Sequence, residues 1–341
     1  MHKRFVNHCT IDITLIPDGP ILIKSGKEGA DPTKPDMEFV ETYHAGGRCI
    51  YLPGSSLKGA IRAHAERIVR TIGSEKRPPE NTQKLWSSNL LDERDKQNNP
   101  NFYLEDWKNR EKKKKLEERH PHPGAELYKQ SCFISQIFGN TSIASRVRIE
   151  DAYPDKSQPL KIEERNGVAI DRVFGSVAVG PFNYQVCTAG EFHTKIHLKN
   201  FTLAQLGLIG LVLRDLDDGW FGLGFAKSRG LGTVEVKLNE AVVQYPGCIL
   251  SEDKQQICAL GSEKTWSKTF LLGAGEFLEL KEAQSYGFLT EKYTEDRQDT
   301  PVAAQSMDLG FGVQLTWRSG TVHDLFERAV KSWSHLLVGA K

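Results

Sequence analysis

Polar and apolar side chains alternate strictly through TIDITL at residues 10–15, which puts Ile11, Ile13 and Leu15 on one face of a half-buried strand. The pattern breaks over residues 24–38, KSGKEGADPTKPDME, where Gly, Pro and charged residues predict a polar loop. Extended chain resumes from Ile50 to Leu52. The spacing then becomes helical: Leu57, Ile61, Ala65, Ile68 and Ile72 make the apolar stripe of a helix over about residues 56–72. Ser55 or Ser56 is placed to cap its start and Gly73 to close it.

Residues 74–130 lose this patterning. They are charged, rich in Pro and Asn, contain WKNREKKKKLEERHPHPG, and read as an insertion with a solvated helix around 103–119. Order returns in CFISQIFGNTSIASRVRIEDAYP, where SRVRIED alternates Arg146 and Arg148 with Val147 and Ile149, so both guanidinium groups leave one strand face. Residues 167–195, GVAIDRVFGSVAVGPFNYQVCTAGEFHTK, hold two strand-like arms about a Gly-containing tip and predict a long projecting hairpin. A second helix starts at Thr202 with Leu206, Ile209, Leu213 and Leu216 on its stripe, and GWFGLGFAKSRGLGTVEV adds a Gly-rich loop and a closing strand.

Taken in order, these elements predict an α+β fold: a ferredoxin-like, RRM-type β-α-β-β-α-β core in residues 1–237, carrying the 74–130 insertion and the hairpin. Residues 238–341 read as a C-terminal extension. Strands are suggested there by FLELKEAQSYGFLTE and FGVQLTWRSG, and a last amphipathic helix by VHDLFERAVKSWSHLLV.

Composition narrows the function classes. The 341 residues, 39% hydrophobic and 26% charged, are those of a globular chain with a sizeable core. No apolar run approaches the roughly 18–20 residues that span a bilayer. The start, MHKRFVNHCTIDITLI, suits a strand better than a signal peptide, so the expected location is the cytoplasm. Six scattered cysteines without a CxxC pair are expected to be reduced thiols. A net charge of +1 gives no bulk attraction for nucleic acid, so any such binding needs a local patch.

Two stretches suit phosphates. The Pro-Gly-Ser-Ser turn through Gly54, Ser55 and Ser56 offers backbone N–H groups and hydroxyls at a helix start, with Lys58 and Arg62 one and two turns in. It lacks Walker spacing. The Gly-rich run precedes a strand rather than a helix, which excludes a dinucleotide loop and leaves flexible backbone beside Lys227 and Arg229. With Arg146 and Arg148 these suggest a phosphate-lined surface, while Lys112–Lys115 reads as a solvated face. Asp31 and Asp36, next to prolines, are either turn residues or carboxylates for acid–base or metal chemistry. His120, His122 and Cys132 could begin a Zn2+ site, but a structural site wants four ligands.

The stretches YLPGSSLKGAIR, IFGNTSIASRVRIEDA, AIDRVFGSVAVG and FGLGFAKSRGLGTV follow one another in an order that resembles the RAMP superfamily, and most of all the backbone subunits of type III CRISPR effector complexes. The resemblance covers about residues 8–237 outside the insertion, and GADPTKPDMEFVETY with the long extension suggests subtype III-D. It implies a thumb hairpin near 167–190 with Asp171 and Arg172, and a guide crRNA held through its phosphates by Gly54–Ser56, Lys58, Arg62, Lys227 and Arg229.

It also implies cleavage of complementary target RNA with Mg2+ or Mn2+, using one aspartate in the loop after the first strand. DMEFVE places that residue at Asp36, although Glu38 and Glu41 depart from the family pattern and leave Asp31 as the rival. The implied partners are other effector subunits, including RAMP paralogues and the large subunit, with no membrane. Two alternatives remain: a scaffold that does not cut, and a stand-alone nuclease that processes guide precursors, for which His44 and His8 are the available histidines.

Overall fold

The computed structural model describes residues 4–26, 35–44, 46–78, 85–288 and 295–338. Along the chain run β1 (His8–Pro17), α1 (Gly54–Ile72), α2 (Pro100–Lys113), α3 (Pro123–Gln130), α4 (Phe133–Phe138), β2 (Val147–Ile149), β3 (Lys161–Ile170), β4 (Val177–Ala189), β5 (Phe192–Lys199), α5 (Leu203–Asp217), β6 (Val234–Tyr245), α6 (Leu280–Tyr286), β7 (Val313–Arg318) and α7 (Val322–Val338).

β1 is the spine. It pairs antiparallel with β5 on one edge and with β6 on the other, and β2 joins the far edge of β5. The order β6-β1-β5-β2, with α1 and α5 as crossovers, is the ferredoxin-like arrangement expected from the sequence. Cys9, Ile11, Ile13 and Leu15 of β1 are all buried on the face covered by the helices. α5 begins with a capping box, in which Thr202 accepts from the Gln205 N–H and Gln205 reaches back to Thr202.

The extension continues the same sheet. β6 runs on past residue 237, β7 pairs beside it, and short strands at Tyr153–Pro154 and Gln305–Ser306 complete a 7-stranded sheet. α7 packs along α5, where Gly207 lies against the Ala329 backbone and Gly210 against the Phe326 ring. The Trp333 indole N–H donates to the Ala204 carbonyl at 2.9 Å. One hydrophobic cluster therefore extends from Cys9 to Trp333. A second joins the insertion to the extension, with Leu104, Ala125 and Tyr128 packed on Leu278, Ala283, Tyr286 and Phe288.

Several boundaries differ from the sequence reading. The helix near 103–119 is α2, capped by Asn99 with Pro100 in its first turn, and it buries Leu104 rather than being solvated throughout. The hairpin is β3 and β4; residues 192–199 instead form β5 in the central sheet, because Gly190, at φ +132°, turns the chain and lets Phe192 bury completely. In α1, His64 and Val69 are buried where Ile72 is 42% exposed in the last turn. Among the described residues no helix is long and apolar enough to cross a membrane.

The α5–α7 contact yields a direct test. A Cβ on Gly207 would lie 2.8 Å from the Ala329 backbone. Gly207→Val should therefore lower stability by about 1–3 kcal/mol in urea unfolding, through overpacking; an unchanged midpoint would show that α7 is not docked on α5.

Candidate nucleic-acid interface

The chain leaving β1 passes through Pro20–Ile23, and three other segments attach to this strip. Ile21 exchanges backbone hydrogen bonds with Cys187 near the foot of β4, at 2.9 and 2.8 Å. On another side, Phe225 N–H donates to the Leu22 carbonyl at 2.7 Å and Gly232 N–H to the Pro20 carbonyl at 2.8 Å, which ties down the Gly-rich loop. Val40 N–H donates to the Ile23 carbonyl at 2.9 Å, bringing in the segment that carries Asp36. The Gly-rich loop, the foot of the hairpin and the Asp36 segment thus converge on one backbone strip.

The glycines make this approach possible. A Cβ on Gly224, at φ +79°, would lie 2.2 Å from the Leu22 carbonyl oxygen. The loop then turns out through Lys227–Arg229, where both cations are exposed. Neither has a described carboxylate within ion-pair distance, and the Arg229 guanidinium lies over the Phe225 ring at 5.1 Å.

Asp36 is exposed, and its Oδ2 accepts the Asn183 N–H at 2.9 Å. The backbone beside it is fixed as well: Met37 N–H donates to the Asn183 carbonyl and Gln185 N–H to the Met37 carbonyl, while Phe39 is buried as an anchor. The carboxylate is thus held against β4, with its second oxygen lacking a protein donor among the described residues. Its rival Asp31 lies outside the described residues.

At the hairpin tip the Asp171 carboxylate accepts the N–H groups of Val173 and Phe174 at 2.7 and 2.8 Å, so it shapes the turn. The Phe174 N–H, then the Val173 N–H, hold its pKa below the ordinary carboxylate value. Arg172 is exposed beside Val173 and Phe174, which are 82% and 84% exposed. Val168, Ile170, Val177 and Val179 are also exposed. A two-stranded arm with this much apolar surface is poorly stable alone and calls for a partner.

The turn at the start of α1 is built differently from the sequence reading. Neither serine caps the helix: Pro53 occupies the cap position, and the Gly54 N–H donates to Asp151 Oδ1 at 2.7 Å. Gly54 is needed because a Cβ there would lie 2.3 Å from the Ile149 carbonyl oxygen. Ser55 and Ser56 are exposed. Lys58 donates to Ser145 Oγ at 2.8 Å and to the Val147 carbonyl at 3.2 Å. Burial, then the Arg62 charge, lowers its pKa. Arg62 pairs with Glu66 and donates to the Gly139 carbonyl at 3.1 Å. These two cations clamp α1 to the 139–147 segment, although Lys58 keeps an uncompensated charge and a third donor.

Arg146 and Arg148 do not share a face. Arg146 precedes β2, is buried, donates to the Asn200 carbonyl, and stacks on Tyr128 at 4.0 Å. Only Arg148 reaches solvent, paired with Glu150 at 3.0 Å. The zinc candidates are also separated in role: Cys132 is buried as the cap of α4, while the His122 N–H donates to His120 Nδ1 and the His120 ring faces Glu126. They form no ligand cluster among the described residues. His44 stacks on Tyr153 at 3.7 Å, and His8 lies on the open sheet face.

The sequence reading missed a buried pair beneath the Gly-rich loop. His64 Nε2 lies 2.7 Å from Asp215 Oδ2, joining α1 to α5. Arg214 holds the other Asp215 oxygen, and the His64 ring stacks on Phe221 at 4.3 Å. The signal was available, since His64 stands seven residues after Leu57 on the apolar face.

The sheet face opposite the helices lacks such free cations over most of its area. Lys195 pairs with Asp12, Lys237 with Glu191, Arg318 with Glu240, and His197 with Glu150. Rings also meet on this face: His8 stacks on His197 at 5.5 Å, and the half-exposed Phe5 packs against His8 at 5.6 Å.

A family model described as RAMPs: RAMP superfamily matches residues 14–235. No curated protein matches the chain.

Replacing Asp151 by Ala should cost about 0.5–2 kcal/mol of stability by removing the cap of α1, measured by urea unfolding; no loss would mean that the Gly54 N–H finds water equally well. His8 gives a pH prediction. Burial lowers its pKa from 6.5, against a raising hydrogen bond to Gln244, and the His197 and Arg148 charges lower it further. The unfolded chain then binds the proton more readily, so stability should fall as pH drops below about 6.5. His8→Gln should flatten that part of the pH profile.

Proposed function

The chain belongs to the RAMP superfamily, a family of CRISPR-associated RNA-binding proteins, and from that premise we propose that it is a backbone subunit of a type III CRISPR effector complex. It binds guide crRNA along the rim built on Pro20–Ile23 and cleaves complementary target RNA there. The observation that carries this reading is the convergence of the Gly-rich loop, the hairpin foot and the Asp36 segment on one strip of backbone.

Guide binding has to be independent of sequence, so the contacts must fall on phosphates and sugars. Lys227 and Arg229 suit that need because no described carboxylate neutralises them, and the loop backbone lets a strand come close. Lys58, Ser55 and Ser56 add contacts at the start of α1. The apolar arm with Arg172 at its tip is suited to wedging beside stacked bases as a thumb. Other effector subunits, including RAMP paralogues and the large subunit, cover what one chain leaves exposed.

For cleavage, Asp36 takes the proton from a target 2′-hydroxyl. The 2′-oxygen then bonds to the adjacent phosphorus to give a 2′,3′-cyclic phosphate, while the bond to the 5′-oxygen breaks and that oxygen leaves with a proton from water. The Asn183 N–H holds one carboxylate oxygen in place, leaving the other for this proton. A lone exposed carboxylate fits Mg2+ or Mn2+ only as one ligand among water and RNA oxygens, the usual mode for Mg2+. Such an ion, when bound, supplies charge stabilisation at the phosphate.

In the reconstituted complex, Asp36→Ala should reduce target cutting by about 100-fold or more, read on a sequencing gel, while guide RNA stays bound. Cuts that survive in both Asp36→Ala and Asp31→Ala would leave this subunit as a scaffold without cleavage. Lys227→Ala/Arg229→Ala should weaken guide retention and lower the salt slope by about 2; unchanged retention and slope would remove the loop from the interface.

A further inference from the structure

The hairpin leaves the sheet between two short segments that are themselves tied together. Asp155 follows the short strand Tyr153–Pro154, and Glu191 immediately precedes β5. The Asp155 N–H donates to the Glu191 carbonyl at 2.8 Å, closing the foot of β3 and β4. Glu191 and His193 are two residues apart along extended chain, so their side chains leave the same face. One ligand atom from each of Asp155, Glu191 and His193 lies within 4.8 Å of the other two.

Neighbouring groups arrange these donors. Thr14, opposite His193 in the β1–β5 register, is buried, and its Oγ1 lies 2.8 Å from His193 Nδ1. Thr14 is fixed in turn by Asn239, the extra residue of a β-bulge in β6, whose Nδ2 donates to Thr14 Oγ1 at 2.9 Å. With Nδ1 held from behind, Nε2 is the nitrogen that faces the carboxylates, 3.2 Å from Asp155 Oδ2. Ser157 N–H and Oγ occupy Asp155 Oδ1, leaving Oδ2 toward the imidazole. A ring nitrogen held by an outer partner, with the other turned to carboxylates, is the arrangement of a metal-binding histidine.

We propose that Asp155, Glu191 and His193 bind a borderline divalent cation, with Zn2+ the best match, and that the ion staples the foot of the hairpin to the sheet. One imidazole nitrogen and two carboxylate oxygens suit Zn2+ with water as the fourth ligand. The resident cation is Lys237, whose Nζ lies 3.5 Å from Glu191 Oε1. It competes with the metal for that carboxylate. The site is distinct from Asp36 and from the His120, His122 and Cys132 set.

The test is a titration of the full chain with Zn2+ in a non-chelating buffer, repeated with Co2+ to read its visible absorption. Wild type should take up a Zn2+ equivalent that His193→Ala loses, and Glu191→Gln should bind it at least about 10-fold more weakly. Lys237→Ala should tighten binding by freeing Glu191. Co2+ bands should appear in wild type and vanish in His193→Ala. Added Zn2+ should slow amide exchange across residues 161–189 in wild type and not in His193→Ala. All of these side chains are solvent-accessible, so the variants should fold. Equal Zn2+ uptake and affinity in wild type and His193→Ala, or no uptake by wild type, would overturn the proposal and leave an ordinary surface ion-pair network.

Discussion

Pairing of β1 on both of its edges is the constraint on which the rest of the molecule depends. A strand hydrogen-bonded on both sides cannot slip by one residue without turning its buried side chains to water. The register Ile11↔Ile196 and Ile11↔Ala241 therefore commits one sheet face to the helices and the other to solvent. The bulge at Asn239 is compatible with that register because it falls where the amide can bridge Asp12 and Thr14 on the open face. Everything beyond Pro17 inherits its position from this strand, including the Pro20–Ile23 strip and the segments attached to it.

The two faces of the sheet meet different electrostatic requirements. On the open face, cross-strand ion pairs neutralise most charges, and the rings that meet at the His8 end are Phe5, His8 and His197. Exposed pairs of this kind contribute little stability, but they leave little unmatched positive charge for phosphate. Elsewhere the situation reverses: Lys227 and Arg229 at the rim, and Arg172 at the hairpin tip, have no described carboxylate partner. With a chain charge of only +1, that local imbalance matters more than the total. The proposed function therefore assigns RNA to the rim, beside the hairpin foot and Asp36.

Much of this was legible in the sequence because local patterns made it so. Strict alternation marked β1, the spacing of Leu206, Ile209, Leu213 and Leu216 marked α5, and closely spaced glycines marked a loop needing close backbone approach. What escaped depended on residues far apart in the chain. Arg146 alternates correctly with Val147, yet Tyr128 and Phe288 supply an aromatic slot that draws it inward. Gly54 and Lys58 stand together at a helix start, and no local pattern shows that Asp151 and Ser145, close to a hundred residues on, accept from them. The extension showed a strand pattern without any sign that β7 would join the edge of β6. The place of His64 on the apolar face marks it as buried, but its Asp215 partner lies on another helix, 151 residues on.

The RNA path can be tested most directly by crosslinking. A guide RNA carrying 4-thiouridine would be irradiated in the assembled complex and its protein adducts mapped by mass spectrometry. Adducts are expected in residues 161–189 and 219–232, at the hairpin and the Gly-rich loop. Adducts concentrated instead on residues 8–12 and 193–199, the open face of the sheet, would contradict the assignment of the rim.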